Sequence, residues 1–363
     1  IAELFVNHGY ELVDPREYSD VYIINTCTVT NSGDAKSRKA IRKLIKQNPE
    51  AVVAVMGCYS QMDADTVAAI EGVDIVIGTS HREQLLDLVE EHLRYRKKIK
   101  EVTDMSRYRV FDEISVTSFH ENTRAFLKIE DGCNHFCTYC IIPKLRGRQK
   151  SRAEGEILTE ARRLVDAGTR ELILVAQDST AYGRDRSGGP GLASLLQRLS
   201  DLSNDIWIRV LYGHPESINE DIIRTMGERP NICPYFDLPV QHASDRILRR
   251  MGRHHTREEL FSLFSQIRET VPRASLRTTV IVGFPGETDR DFKTLLSFAE
   301  AVRFDHLGAF TYSDADDLPS HRLGGHVSRA VAEKRRDRLM ERQVAISTEK
   351  NTAHLGRTLD VLI

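Results

Sequence analysis

The stretch Arg124–Cys140, RAFLKIEDGCNHFCTYC, decides the fold. Its apolar first half has the composition of a buried β-strand, and it leads directly into a loop that holds Cys133, Cys137 and Cys140. Three residues separate the first two cysteines and two separate the last pair. Because the functional groups of (β/α) barrels sit on loops at the carboxyl ends of the strands, we expect these cysteines to form a site there.

Five more strand candidates follow this stretch, and helical stretches separate them. The strand candidates are ELILVAQD (171–178), IWIRVLYG (206–213), YFDLPVQ (235–241), LRTTVIVGF (276–284) and HLGAFTYS (306–313). Six βα units over about 200 residues predict an α/β fold in which residues 123–350 form a partial or complete (β/α) barrel. The charged run at 331–351 predicts a long surface helix, and residues 354–363 are expected to begin a further module.

Residues 1–100 alternate short apolar runs with amphipathic stretches, which predicts a separate domain with an open, mostly parallel sheet. Two of its strand candidates end in cysteine, at Cys27 and at Cys58. Since ligands bind beyond the carboxyl ends of strands in such sheets, these two cysteines are expected to converge. The alternative is that both are buried structural thiols. Residues 101–122 lack clear periodicity and are expected to form a linker.

The composition excludes several classes of protein. The 363 residues carry 51 Lys and Arg against 53 Asp and Glu, which excludes a globally basic nucleic-acid coat protein but not a local basic patch. No uninterrupted apolar run is long enough to cross a bilayer, so no membrane partner is expected. Six cysteines are too few for a disulfide scaffold and favour a metal or redox site in a cytoplasmic protein. Basic runs at 144–152 and 249–255 indicate phosphate contacts, an acidic protein partner or solvated faces.

The spacing of Cys133, Cys137 and Cys140 favours an iron–sulfur cluster. A [4Fe–4S] cluster normally takes four thiolates, so three thiolates leave one iron open to an external ligand. Reductive cleavage of S-adenosylmethionine requires an open iron, because the amino acid end of that molecule chelates the metal. A zinc site with His135 as the fourth ligand is the alternative, and it predicts a non-catalytic, zinc-stabilised RNA-binding protein.

In its barrel context, the cysteine loop resembles that of the radical-SAM superfamily. That superfamily carries the same CxxxCxxC spacing with an aromatic residue, here Tyr139, before the last cysteine, and the resemblance extends from Arg124 to about residue 345. It implies that S-adenosylmethionine is held by Tyr139 and by residues at other strand ends, namely Gln177, Asp178, Arg209, Gln241, Gly283, Phe284, Pro285, Gly286 and Glu287. The structural alternatives are a tight turn for Gly283 and Gly286 and a surface ion pair for Arg209.

Cys27 and Cys58 narrow the resemblance to the methylthiotransferases. The sequences NTC, which ends at Cys27, and GC, which ends at Cys58, are similar to two of the three motifs that hold an auxiliary [4Fe–4S] cluster in that family. The third cysteine, together with the first strand of the sheet, is expected before Ile1. The resemblance implies two [4Fe–4S] clusters, S-adenosylmethionine, a low-potential electron donor and a sulfur donor, and residues 354–363 resemble the start of the family's TRAM module.

Two branches of this family share the resemblance. Residues 25–38 and 124–143 resemble the MtaB-type branch, which methylthiolates threonylcarbamoyl-adenosine in tRNA. Segments between 144 and 253 resemble the RimO-type branch, which methylthiolates the β-carbon of an aspartate in a small-subunit ribosomal protein. Because the barrel covers more residues and encloses the reacting centre, we expect a ribosomal-protein substrate, with tRNA as the alternative. The implied reaction inserts a methylthio group at an unactivated C–H bond after a 5′-deoxyadenosyl radical removes the hydrogen atom.

Overall fold

The computed structural model describes residues 1–27, 31–112 and 123–362, which belong to two compact units. One unit comprises Ile1–Val116 and Ile141–Arg148, and the other comprises Thr117–Cys140 and Gln149–Ile363. The sequence analysis treats 123–350 as one continuous segment, whereas the structure groups Ile141–Arg148 with the first unit. Residues 113–122 of the expected linker lie outside the described residues.

The first unit contains a four-stranded parallel sheet in the order β1-β2-β3-β4. Its strands are β1 (Val21–Thr26), β2 (Val52–Gly57), β3 (Ile75–Ile77) and β4 (Ile99–Glu101). The predicted open parallel sheet is therefore confirmed. Strand β4 escaped the sequence analysis because it is only three residues long and two of them, Lys100 and Glu101, are charged.

Six helices belong to the same unit. They are α1 (Ala2–Val6), α2 (Asn31–Gln47), α3 (Cys58–Met62), α4 (Ala64–Ala68), α5 (Leu85–Tyr95) and α6 (Ile142–Arg146). Every residue of β2 is buried, and alternate residues enter two apolar clusters, with Val53 and Val55 in one and Val52 and Ala54 in the other. Both faces of the sheet are therefore covered, which explains why this strand reads as a continuous apolar run.

The second unit has eight described strands, of which six are the parallel strands of a partial barrel. Its strands are β5 (Arg124–Lys128), β6 (Glu130–Asp131), β7 (Lys150–Ser151), β8 (Glu171–Val175), β9 (Trp207–Val210), β10 (Tyr235–Asp237), β11 (Ser275–Val282) and β12 (His306–Thr311). Strands β5-β8-β9 and β10-β11-β12 form two parallel sheets, and a parallel bridge between Ile208 and Ile232 links them. The short strands β6 and β7 pair antiparallel. All six predicted barrel strands are confirmed.

Seven helices separate or follow these strands. They are α7 (Glu154–Asp166), α8 (Leu192–Ser200), α9 (Glu220–Glu228), α10 (Asp245–Arg250), α11 (Arg257–Thr270), α12 (Asp289–Val302) and α13 (Arg329–Thr352). Alternate strand residues such as Leu127 and Leu172 are fully buried in one core with the helices. Helix α13 is the charged helix that the sequence predicts, but it is not only a surface helix, because Leu339 and Ile346 on it are buried.

The C-terminal segment differs from its prediction. Residues 356–362, the described part of the expected first strand of a further module, form no strand, and Leu359 and Val361 are exposed. A strand is stabilised by pairing with neighbouring strands, and this segment pairs with none of the described strands. None of the helices in the described part of the chain is long and apolar enough to span a membrane.

Candidate active site

The three loop cysteines lie beyond the carboxyl end of β5, as the sequence predicts. Cys137 is buried, whereas Cys133 and Cys140 are half-buried. The backbone N–H of Cys140 donates to the carbonyl of Cys137 at 3.0 Å, and Phe136 adopts a left-handed φ of 45°, so the loop turns tightly. These turns keep the three side chains in one small region.

The environment of Cys133 suits a metal ligand. Burial, with a smaller contribution from the nearby Asp178, Cys140 and Cys137, raises the pKa of its thiol to about 12. A thiolate there needs a compensating cation, which the irons of a cluster supply when they coordinate the sulfur. Three thiols within eight residues, held in a tightly turned loop, therefore fit the donor set of a [4Fe–4S] cluster with one open iron.

Gln177 and Asp178 follow β8 and hold this loop in place. Oε1 of Gln177 accepts a hydrogen bond from the N–H of Gly132 at 2.7 Å. Oδ2 of Asp178 lies 2.7 Å from Nε2 of His135 and accepts a hydrogen bond from the hydroxyl of Ser217 at 2.5 Å. The family resemblance implies that both residues bind S-adenosylmethionine, but in the structure their side chains contact the cysteine loop.

His135 belongs to a stack of histidines beside the loop. Its ring lies parallel to that of His214, with centroids 3.6 Å apart and an interplanar angle of 5°. Its Nε2 faces Asp178 at 2.7 Å, and its Nδ1 faces Glu216 at 4.0 Å. Because both ring nitrogens face carboxylates, the geometry favours a positioning role for His135 over the role of a fourth zinc ligand.

Tyr139 and Phe284, two predicted cofactor residues, are brought together in the structure. Their rings meet edge to face with centroids 6.4 Å apart. The hydroxyl of Tyr139 accepts hydrogen bonds from Nε and Nη2 of Arg253, at 3.1 and 2.8 Å. Burial raises the pKa of Tyr139, so this hydroxyl is protonated at neutral pH.

The turn GFPGE after β11 has a clear structural reason for its glycines. Gly283 and Gly286 have φ values of 75° and 86°, and the buried carboxylate of Glu287 accepts hydrogen bonds from the N–H groups of Gly283 and Phe284. A Cβ on Gly283 would lie 2.4 Å from that of Ala332. The tight turn that the sequence analysis left open as an alternative is present, and a contact of these residues with S-adenosylmethionine stays a prediction.

Arg209 and Gln241, two further predicted S-adenosylmethionine contacts, lie in different parts of the barrel. Nε of Arg209 donates to Glu171, the first residue of β8, at 2.6 Å, and its guanidinium lies 5.0 Å from the ring centroid of Tyr235. The structure therefore directs Arg209 toward the amino ends of the strands, in the ion pair that was the alternative. Gln241 has a left-handed φ of 65°, and its N–H donates to the carbonyl of Thr279 on β11 at 2.9 Å.

Cys27 and Cys58 follow two adjacent strands in register. Thr26 of β1 pairs with Gly57 of β2, and each cysteine is the next residue, so the two cysteines occupy equivalent strand-end positions, while their convergence on one point stays a prediction. Cys27 is exposed, whereas Cys58 is buried at the start of α3. Their role as metal ligands stays a prediction.

Two family models match the chain. Residues 127–299 match the radical SAM superfamily, and residues 1–78 match the uncharacterized protein family UPF0004. A ribosomal protein uS12 methylthiotransferase of Desulfosudis oleivorans is 43% identical and the alignment covers 99% of this chain and 82% of that protein. The uS12 methylthiotransferase of Clostridioides difficile is 42% identical, and the alignment covers 98% of this chain and 81% of that protein.

This chain belongs to the radical-SAM methylthiotransferase family. A threonylcarbamoyladenosine tRNA methylthiotransferase of Bacillus subtilis is also similar, with 36% identity over 100% of this chain and 80% of that protein. As a member of this family, the chain is a transferase with a radical-SAM domain. The alternative prediction of a non-catalytic zinc protein is therefore wrong.

A solved structure of the radical S-adenosylmethionine methyltransferase TsrM from Kitasatospora setae shares the fold of this methylthiotransferase. The TM-score is 0.65 at 14% sequence identity, and the match covers 88% of this chain and 68% of that one. The radical-SAM family implies a [4Fe–4S] cluster and S-adenosylmethionine as cofactors, and the donor set of Cys133, Cys137 and Cys140 fits that cluster.

Sequence reasoning missed several residues around the loop of this methylthiotransferase. Ser217 and His214 follow β9, and Arg253 follows α10, yet all three contact residues of the cysteine loop or of β8. The only local signal was the basic run at 249–255, which contains Arg253. Contacts across 39 to 114 positions of sequence leave no local pattern.

Proposed function

We propose that this methylthiotransferase inserts a methylthio group at the β-carbon of an aspartate in ribosomal protein uS12. The observation that carries the proposal is the similarity to two uS12 enzymes in particular. The two uS12 enzymes named above are 43% and 42% identical over nearly the whole chain, whereas the tRNA enzyme is 36% identical, a value that several further uS12 enzymes share. Since the substrate is a ribosomal protein, we place the enzyme in the cytoplasm.

The loop cysteines are the proposed ligands of the catalytic cluster. Cys133, Cys137 and Cys140 would hold the cluster through three thiolates, which would leave a place for S-adenosylmethionine as an external ligand. When bound, the cluster and S-adenosylmethionine supply the radical chemistry that breaks an unactivated C–H bond, which side chains alone do not perform. An external low-potential donor supplies the electron.

The surrounding side chains fix the loop before the cofactors bind. Gln177 holds its start through Gly132, and Asp178 holds it through His135. Preorganised ligands lower the cost of positioning a substrate for reaction. We assign Gln177 and Asp178 as positioning residues and leave Arg209, with its ion pair to Glu171, outside the site.

The binding of S-adenosylmethionine is assigned to residues at three other positions. Tyr139 and Phe284 form one apolar corner, and the turn 283–287 presents backbone next to it. Gln241 holds a sparsely populated left-handed conformation at the edge of β11, and such strain concentrates at functional sites. These placements support the contacts that the family resemblance implies.

A second [4Fe–4S] cluster is proposed in the first unit. Cys27 and Cys58 stand side by side after paired strand residues, which gives two of the three thiolates that the family pattern requires. This cluster would take sulfur from an external sulfur donor and pass it to the substrate.

Methylthiolation of threonylcarbamoyl-adenosine in tRNA is the second candidate function. It rests on the Bacillus subtilis tRNA enzyme, which is 36% identical over 100% of this chain. The segments 25–38 and 124–143 carry this resemblance in the sequence.

One experiment separates the two substrates. A strain that lacks the gene is complemented with the complete reading frame, with the Cys133→Ala variant, or with an empty vector. Mass spectrometry then follows the uS12 aspartate peptide and the digested tRNA from the same cells. We expect the methylthio group on the peptide alone, and only with the unmodified gene. A methylthio group on the tRNA nucleoside alone would contradict the proposed substrate and support the second candidate.

A further inference from the structure

Arg253 is a buried cation that pairs with no carboxylate among the residues that the structure describes. Only 5% of the surface of Arg253 is exposed to solvent. Nε and Nη2 donate to the hydroxyl of Tyr139, and Nη1 donates to Nε2 of His214. Neither partner carries a negative charge, and none of the described carboxylates forms an ion pair with this guanidinium. The nearest acidic contribution comes from Glu216, whose Oε1 instead accepts from the N–H of His254 and faces Nδ1 of His255 at 2.9 Å.

Two other arginines of this unit are buried as deeply but are paired. Arg152 forms an ion pair with Glu160, and Arg335 forms one with Asp289 at 2.7 Å. An unpaired charge away from water is unfavourable by several kcal/mol, so buried charges are normally compensated. Arg253 differs from these two arginines because it has no acidic partner in the described part of the chain. This difference indicates that an anionic group bound at the site supplies its counter-charge.

The side of Arg253 that makes these contacts faces the cysteine loop. Tyr139, whose hydroxyl Arg253 holds, stands between Cys137 and Cys140 in the loop. The N–H of Thr138, the residue after Cys137, donates to the carbonyl of Met251 at 3.0 Å, two residues before Arg253. When the three cysteines ligate a [4Fe–4S] cluster, their three thiolates outweigh the charge of the oxidised core, so the site becomes anionic.

We propose that Arg253 is the counter-charge of the cluster at Cys133, Cys137 and Cys140 and raises the cluster's reduction potential. This inference rests on the cluster site proposed above. One electron from an external reductant converts the oxidised core into the reduced core, and no bond forms or breaks. Since each reduction adds one negative charge, a permanent cation beside the cluster stabilises the reduced state. Arg253 acts through Tyr139 and through space, so it is a positioning residue.

The test compares cluster reduction potentials of the full chain, reconstituted anaerobically with iron and sulfide and titrated with titanium(III) citrate. Electron paramagnetic resonance measures the reduced fraction. Arg253→Gln and Arg253→Met remove the charge, and Arg253→Lys retains it. For the first two variants, we expect the reduced-to-oxidised ratio at a fixed potential to fall at least tenfold, which is about 59 mV for a one-electron couple. The Lys variant should stay within about threefold of the unmodified protein, or about 28 mV.

Arg268→Gln is the matched control. Arg268 lies on the outer helix α11, is half-buried and donates to the carbonyl of Arg303 at 2.9 Å, so its replacement removes the same charge from the same unit. Its cluster should keep the potential of the unmodified protein. Electrostatic tuning predicts this difference between Arg253 and Arg268, whereas a general loss of stability does not.

Each outcome bears on a different claim. Arg253→Gln and Arg253→Met variants that load iron and keep the original potential would overturn the inference and leave the cluster site standing. The cluster site, and the inference with it, would be overturned if the unmodified protein holds no cluster. The same follows if the Cys133→Ala variant still holds the cluster. If neither charge-removing variant folds in the cluster-free form, the charge serves the fold itself and the inference is also wrong. If only one of them folds, its potential decides.

Discussion

Nε2 of His135 lies 2.7 Å from Oδ2 of Asp178, which ties the cysteine loop to the end of the neighbouring strand β8. Asp178 is 2% exposed and also accepts hydrogen bonds from Ser217 and Thr180. A carboxylate on Nε2 fixes the imidazole tautomer and the direction of the ring. The loop that presents the three cysteines is thus oriented by residues that follow three different strands, β5, β8 and β9.

Replacing Asp178 should loosen this loop. In Asp178→Asn, an amide replaces the carboxylate that accepts hydrogen bonds from His135, Ser217 and Thr180. Since the NH2 group of an amide cannot accept a hydrogen bond, buried polar groups lose partners. We expect the free energy of unfolding of the cluster-free protein to fall by about 1–3 kcal/mol, measured by urea denaturation.

Asp201→Asn is the control for this loss. Asp201 is exposed and pairs with Arg229 at 2.6 Å. Exposed ion pairs contribute about 0–1 kcal/mol, so its replacement should have a small effect. Equal losses for the two variants would show that the buried network does not stabilise the loop.

Loss of one loop cysteine should abolish cluster binding. We expect Cys133→Ala to lose the iron that resists desalting and to reduce S-adenosylmethionine cleavage to background, because two thiolates remain where three are required. Iron analysis and detection of 5′-deoxyadenosine measure the two effects.

Cys233→Ala is the matched control for the cluster. Cys233 precedes β10, its pKa is raised by burial, and it is not part of the loop. This variant should retain both iron and cleavage. A Cys133→Ala protein that cleaves S-adenosylmethionine normally would refute the ligand assignment.

The carboxyl of Glu130 should make the protein less stable as the pH rises. Burial raises the pKa of Glu130 to about 10 from the ordinary 4.5, with Asp178 and Asp185 adding to the effect. Between these values the unfolded chain releases a proton that the folded protein retains, so folding stability falls by about 1 kcal/mol for each pH unit.

The variant Glu130→Gln tests this pH dependence. Its amide stays neutral and keeps an oxygen to accept from Gln149, which donates to Glu130 at 2.9 Å. In urea denaturation between about pH 6 and pH 9, we expect the variant to gain about 1 kcal/mol per pH unit relative to the unmodified protein. Glu258→Gln, at an exposed position of α11, should follow the unmodified protein. Parallel pH profiles for the unmodified and Glu130→Gln proteins would contradict the burial argument.

The backbone at position 57, the residue before Cys58, requires a glycine. Its φ is +100°, and a Cβ would lie 2.5 Å from Oδ1 of Asn25 and 2.6 Å from the carbonyl of Thr26. We expect Gly57→Ala to destabilise the first unit by about 1–3 kcal/mol. Gly155→Ala is the control, because Gly155 lies in helix α7 with open space around it and alanine there favours the helix by about 1 kcal/mol. A Gly57→Ala protein as stable as the unmodified one in thermal denaturation would show that the strand end tolerates a side chain.

The sequence by itself determined the strands, the helices and the cysteine spacing. Leu127 and Leu172 belong to apolar strand patterns that are readable within a few residues, and the loop from Cys133 to Cys140 carries its ligand spacing in eight residues. The alignment of Cys27 with Cys58 was also predictable, because parallel strands end at one edge of a sheet. The short strand β4 was not, since three partly charged residues carry no recognisable period.

Only the tertiary structure decided which polar groups meet. Arg209 pairs with Glu171 at the amino ends of the strands, and Asp178 and Arg253 reach the cysteine loop from distant parts of the chain. Burial and hydrogen-bond geometry select these partners after the barrel strands have aligned, and nothing in the neighbouring sequence records them. Local periodicity and spacing therefore specify the barrel and its cysteine loop, whereas the charges that surround this loop are specified by packing.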